Sequence, residues 1–241
     1  MIDWLRQNPR HEPQVQLGDV CLPIVVRRQR NARRMTLRLS PDGREVRVTI
    51  PDWCRTADAL SFAHSRVDWL GEQLASLPVA EPVGHGAELR FRGRTLTIHH
   101  DPAAPRRPLL QHDRIAIGGP ESALQGRLRR WLEGEARSIM VDDLAHYCDL
   151  ARKPAPRLAL SNAKRRWGSC APDGSIRINW RLIMAPDPVR RSVVAHEVAH
   201  LVHFDHSPRF HAFLGDLFEG DLPAANSWLK CEGRSLYLPF G

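Results

Sequence analysis

The sequence predicts an α+β protein, with an antiparallel β-rich N-terminal region followed by a helix-rich remainder. Two observations carry this: apolar and β-branched residues alternate near period two through residues 22–50, and apolar residues recur at helical spacing over 56–77 and 121–151. With 241 residues, 42% apolar and 26% charged, the composition is that of a globular chain, which excludes a disordered tail protein and a collagen-like repeat. No stretch approaches the ~20 uncharged apolar residues of a membrane helix. The opening MIDWLRQNPRHEPQ has neither the basic nor the apolar region of a secretory signal. A cytoplasmic protein with no membrane partner is the expectation.

Taken in order, LPIVVRR, RRMTLRLS and REVRVTIP suggest a small antiparallel meander, with Ser40-Pro41-Asp42-Gly43 turning between the second and third runs. Residues 56–77 read as one helix, with Leu60, Val67, Leu70 and Leu74 on its apolar side and Pro78 ending it. ELRFRGRTLTIHH reads as a hairpin across Arg92-Gly93, and DRIAIGG as a third strand beyond the loop DPAAPRRP. The helix from Glu121 to about Ala151 has Leu124, Leu128, Trp131, Leu132, Ile139 and Leu144 as core positions. Beyond it come a short strand at Arg157 to Leu160, a polar loop SNAKRRWGSCAPDG and a strand SIRINWRLI. Asp187 caps a helix from Pro188 to about His203; Ser207-Pro208 starts another through Leu217, and Pro223 a last one towards Cys231. The domains expected are an extension over 1–20, a β-rich region with one helix over 21–120 and a catalytic region over 121–241.

Charge and cysteine usage narrow the function classes. Lys and Arg number 35 against 27 Asp and Glu, a net charge of +8, and only Lys153, Lys164 and Lys230 are lysines. Such a field suits an anionic partner, a nucleotide or nucleic acid included. Arginine stretches at 27–38, 90–94 and 127–130 are the candidates for phosphate contact, although alternation in the first puts some of them on the outer face of a strand. Five widely spaced cysteines with no C-x-x-C pair argue against a disulfide framework or a Cys-rich zinc ribbon, and read as reduced, mostly buried thiols.

The informative segment is His196-Glu197-Val198-Ala199-His200. Four residues on a 3.6-residue helix leave two histidines about 40° apart, so both imidazoles face one cation. Glu197 sits beside them, placed to take a proton from water, the H-E-x-x-H arrangement of zinc hydrolases. Val193, Val194, Leu201 and Val202 make the helix apolar, where two His and a Glu are costly unless paired or metal-bound. A catalytic zinc needs a third ligand. His203 lies about 10 Å along the axis from His196. His206 is better placed, at the elbow before Ser207-Pro208, where Asp205 or His203 would take a left-handed conformation. Glu219 or Glu232 is the competing third ligand, and His211 is read as outlying. For oxyanion or substrate contact the candidates are Lys164, Arg165, Arg166 and Arg181. Trp167-Gly168-Ser169-Cys170 reads as a structural loop packing Trp167 under the site rather than a nucleophile loop, with Cys170 as a fourth ligand disfavoured. Ile176 to Arg181 reads as an edge strand along the cleft or as a plain core strand.

Four runs together, RWGSC (166–170), INWRLI (178–183), HEVAHL (196–201) and DHSPRF (205–210), resemble the YgjP-type family of zinc-dependent metallopeptidase-like proteins, relatives of the SprT and WLM groups. The arginine-rich segment from Arg27 to Arg38 is similar to that family's N-terminal region. The resemblance implies a zincin-like catalytic part with an HExxH active-site helix, one Zn2+ per chain on His196, His200 and His206, and Glu197 as the catalytic glutamate. It implies a peptide or protein substrate first. A metal-dependent nucleoside triphosphate pyrophosphohydrolase and a nucleic-acid-associated protease or binding protein are the alternatives. At His211 the chain departs from the family, which often carries Trp there.

Overall fold

A computed structural model describes residues 13–40, 43–75 and 83–240. The turn residues Pro41 and Asp42 and the helix stop Pro78 lie outside them. The chain divides into two compact units, Met1–Val79 and Ala80–Gly241. Among the described residues no helix is long and apolar enough to cross a membrane. The five cysteines are unpaired, but only Cys54 and Cys148 are buried, fewer than the sequence suggests.

The first unit contains strands β1 (Gln14–Leu17), β2 (Val20–Arg28), β3 (Thr36–Leu39) and β4 (Val46–Ile50), then helices α1 (Thr56–His64) and α2 (Val67–Ala75). The sheet order is β1-β2-β4-β3, with β2 and β4 parallel. It is therefore not the meander expected. β4, whose Val46, Val48 and Ile50 are fully buried, takes the centre, and the short β3 with its exposed Arg38 is left at the edge. β1 lies inside the segment expected as an extension and pairs with β2 over Gln14↔Pro23 to Leu17↔Val20. The single helix expected over 56–77 is two. At the break the Ser65 hydroxyl donates to the Phe62 carbonyl at 2.9 Å, a local bond that competes with helix continuation. Ala59, Ala63 and Leu70 then close over Leu22, Ile24 and the β4 residues as one core.

The second unit opens with β5 (Glu88–Phe91), β6 (Arg94–His100), β7 (Leu109–Gln111) and β8 (Arg114–Ile117), in the order β5-β6-β8-β7 with β6 and β8 parallel. This repeats the strand order and directions of the first sheet, a likeness invisible in the residues themselves. The β5–β6 turn has two positive φ values, Arg92 at 51° and Gly93 at 77°, as a two-residue hairpin of the I′ type requires. Its amides donate to Ile183 and Met184, and Arg92 pairs with Asp187. The turn thereby pins the start of the helix that carries the site.

The long helix α3 (Leu124–Leu150) follows a short 3-10 turn. Next come β9 (Leu158–Ser161), β10 (Gly168–Cys170) and β11 (Ile176–Asn179), ordered β10-β11-β9. Thus the polar loop expected over 161–174 contains a strand, and the strand expected to Ile183 stops at Asn179. There the Asn179 side chain accepts the Arg181 N–H and starts a 3-10 turn. α4 (Asp187–Ala199), α5 (Pro208–Leu217) and α6 (Leu222–Glu232) complete the unit. Leu89, Ile98 and Ile115 of the sheet share one core with Leu128, Leu132 and Val198 of the helices. This is why the chain divides at 79/80 rather than at the 120/121 boundary the sequence suggests.

α4 is fixed to α3 by charge. Arg190, 2% exposed, donates to Asp143 at 2.7 Å and also pairs with Asp187. Asp143→Ala should cost about 3 kcal/mol of stability, since it leaves a buried guanidinium with one carboxylate fewer. Denaturant unfolding checks this, and an unchanged midpoint would mean the pair does not hold α4.

Candidate metal centre

α4 is buried on nearly every side, so His196 and Glu197 are set by a rigid element rather than a loop. The regular helix ends at Ala199, four residues before the expected stop. Leu201 and Val202 then bond back to Val198 and Ala199, a tightened last turn. The chain reverses over 203–206, and the Ser207 side chain accepts the Phe210 N–H to open α5. No left-handed residue makes this elbow: among the described residues positive φ outside glycine occurs at Arg92, His112 and Arg152, not at His203 or Asp205. Instead Asp205 Oδ1 accepts the Ser207 amide at 3.3 Å and holds the turn.

The elbow swings His206 over the helix. Ring centroids lie 4.9 Å apart for His196 and His200, 5.3 Å for His196 and His206, and 4.7 Å for His200 and His206. One nitrogen from each of the three lies within 4.8 Å of the others. His196 Nε2 and His206 Nε2 are 3.3 Å apart. His200 Nδ1 lies 3.1 Å from the His203 carbonyl, which can only accept, so Nδ1 carries the proton and Nε2 keeps its lone pair. His203 thus contributes its backbone, and its ring is outside the cluster. Burial, with the charges of His200, His206 and His211 added, pushes His196 down to about 4, so its imidazole is neutral near pH 7. Burial lowers His200 in the same direction.

The other third-ligand candidates are engaged elsewhere. Glu219 accepts the Tyr147 hydroxyl and pairs with Arg191, and Glu232 pairs with Arg90. His211 is exposed, its ring 6.3 Å from that of His206. Under the three imidazoles lies Phe210, fully buried, with its centroid 5.0, 4.6 and 4.9 Å from the rings of His196, His200 and His206. Residue-type reasoning assigns this floor no role, because a phenyl ring carries no chemistry of its own. Its position two residues after Pro208, on the first buried turn of α5, was the available signal.

Glu197 is 5% exposed, and burial raises its carboxyl to about 7. The Cys170 amide donates to it, and the Arg166 charge also pulls it back down. A Cβ added at Gly168 would meet Glu197 Oε1 at 2.3 Å, so only glycine lets β10 lie this close. A cavity of about 200 Å³ opens beside Glu197 and His196, walled by Trp167, Val193, Leu214 and Leu222. Trp167 packs on Tyr237 at 5.5 Å and forms a wall of the cavity, while the place under the imidazoles is taken by Phe210. Cys170 is outside the histidine cluster, its Sγ 3.7 Å from the Ala171 carbonyl.

Of the candidate contact residues, Arg165 and Arg166 are exposed and Lys164 half-buried. Arg181 is not a contact residue. It is 1% exposed, stacked between Trp180 and Tyr237 at 4.6 Å from each ring, and bonded to Asn162 and the Phe240 carbonyl. It thereby fastens Phe240 to the 3-10 turn that follows β11. β11 is the central strand of its sheet, and β10 is an edge strand. Trp167 bonds Asn179 and Ala171 bonds Ser175, so by alternation the backbone groups of Gly168 and Cys170 point away from β11.

Convergent imidazole nitrogens with a buried carboxylate alongside are the donor chemistry of metal-dependent hydrolases. The family model described as YgjP-like, metallopeptidase domain matches residues 33–232, and the chain belongs to that family. Its general kind is accordingly that of a metallopeptidase domain. No curated protein and no solved structure matches the chain.

Proposed function

We propose that this chain is a zinc-dependent peptidase with a zincin-like catalytic part, holding one Zn2+ on His196, His200 and His206 and using Glu197 as general base. The observation that carries it is the convergence of three imidazole nitrogens within 4.8 Å beside a buried carboxylate. The donor set fits the ion. Tetrahedral zinc with nitrogens at about 2.0–2.1 Å spaces its ligand atoms about 3.3 Å apart, the separation of His196 Nε2 from His206 Nε2, 3.3 Å. Among the described residues the cluster has three protein donors and no fourth, as a catalytic site needs.

Zinc bound there supplies a Lewis acid and a water acidic enough to ionise near neutrality. Glu197 accepts the proton of the attacking water and delivers it to the leaving amine, and the burial that raises its carboxyl suits it to carry the proton between them. Arg166, whose charge reaches Glu197, is the candidate for stabilising the oxyanion. The outward backbone groups of Gly168 offer an extended substrate a strand to pair with. This edge favours a peptide over a nucleotide. So does the engagement of arginines in the two stretches of this unit assigned to phosphate, 90–94 and 127–130: Arg90 with Glu232, Arg92 with Asp187, Arg127 with the Gly118 carbonyl and Arg129 with Glu133.

Purified full-length protein should carry about one zinc and cleave casein, lose both on chelation and regain both with added zinc. Cleavage unaffected by chelation, or zinc-dependent release of pyrophosphate from nucleoside triphosphates without any proteolysis, would overturn the reading.

A further inference from the structure

The N-terminal unit holds a feature that peptide hydrolysis does not use. Residues 20–50 contain eight arginines against two carboxylates. Alternation sends Leu22, Ile24 and Val26 of β2 and Val46, Val48 and Ile50 of β4 inward onto α1 and α2. The opposite face carries Arg27, Arg47 and Arg38, together with the hydroxyls of Thr36 and Thr49. Register sets these side by side: Arg27↔Thr49 and Val25↔Arg47 across β2 and β4, Arg47↔Arg38 and Thr49↔Thr36 across β4 and β3. Like charges directly opposite one another destabilise a sheet, and among the described residues Glu45 pairs with Arg47. Arg27 and Arg38 are exposed.

Cations continue at one end of this face. The β2–β3 connection carries Arg30, Arg33 and Arg34, all exposed, Arg30 to 94%. The segment after β4 returns to the same end, since Gln29 bonds to the Ile50 carbonyl and Arg28 to the carbonyls of Asp52 and Cys54. Between those two carbonyls stands Trp53, 77% exposed, the most exposed of the large hydrophobic side chains described. An indole left in water at the end of an arginine-lined sheet face is a stacking platform for an unpaired base, while guanidinium forks take the phosphates. A duplex hides its base faces and would leave Trp53 without use. A membrane surface would want more apolar area than one ring among arginines.

We infer that the exposed face of the β2–β4–β3 sheet binds single-stranded nucleic acid, with Arg27, Arg33, Arg34 and Arg38 on the backbone and Trp53 stacked on a base. This does not rest on the peptidase reading. The test is fluorescence anisotropy of the full-length protein with a labelled oligothymidylate of about 15 nucleotides, titrated from about 50 to 200 mM salt. Binding should weaken steeply with salt. Substituting Arg33, Arg34 and Arg38 together by Ala should make the log–log salt slope shallower by about two. Trp53→Ala should weaken binding about tenfold and Trp53→Phe should restore most of it. Bound zinc, which reports on the histidines of the second unit, should not change in any of these variants. No binding at the lowest salt, an unaltered slope in the triple variant, an indifferent Trp53→Ala, or tighter binding to a matching duplex or to phosphatidylserine vesicles would each overturn the inference.

Discussion

Glu197→Gln should retain its full complement of zinc and lose peptide turnover by about 10²- to 10⁴-fold, the usual contribution of a positioned general base. The amide is nearly isosteric with the carboxylate, and its oxygen still accepts the Cys170 N–H that holds Glu197. The three imidazoles are untouched, because Glu197 points to β10 and the cavity rather than joining their cluster. What disappears is the one buried carboxylate among the described residues. Metal analysis and casein hydrolysis on the same preparation check this. Wild-type turnover in the zinc-loaded variant would remove Glu197 from the chemistry, whereas loss of zinc would mean that its role is to hold the histidines.

The convergence of the three histidines was legible in the sequence, for a physical reason. On a helix the spacing of two histidines fixes their angular separation, so His196 and His200 needed no tertiary information. His206 needed only the turn signalled by Ser207-Pro208. Its elbow was misjudged in detail because capping by Asp205 and a tightened last turn do the work assigned to a left-handed residue. Strand alternation in the N-terminal unit was equally plain, yet alternation decides which face a residue occupies and not which strand is its neighbour. That is how β4 came to lie between β2 and β3 unannounced. Arg181 was misread because residue type alone places an arginine at the surface. Only tertiary structure brings Trp180, Tyr237 and the Phe240 carbonyl around it. The loop before β11 concealed a strand for a related reason: Gly168, Ser169 and Cys170 have little β propensity, and β10 exists because its partner and Glu197 both bond to it.

Gly168→Ala tests that contact with a single methyl group. The glycine's φ is not in the left-handed region, so alanine brings no backbone strain, and its Cβ would stand 2.3 Å from Glu197 Oε1 and 2.7 Å from both Cδ and Cγ. Relief requires the carboxylate to swing away, β10 to retreat, or both. Displacing a catalytic group by about 1 Å costs on the order of 10²-fold in rate, and overpacking adds about 1–3 kcal/mol of destabilisation. Zinc content should stay at the wild-type level, since the three atoms nearest the new methyl group all belong to Glu197 and not to a histidine. The double variant separates displacement of the base from general damage. If the methyl group acts through Glu197, adding Gly168→Ala to Glu197→Gln should slow the residual reaction little further, because the two changes remove the same function. Multiplicative losses in the double variant would show instead that Gly168 serves the substrate directly, through the strand edge it presents. Full activity in Gly168→Ala would show that the close approach of β10 to Glu197 does not position the base.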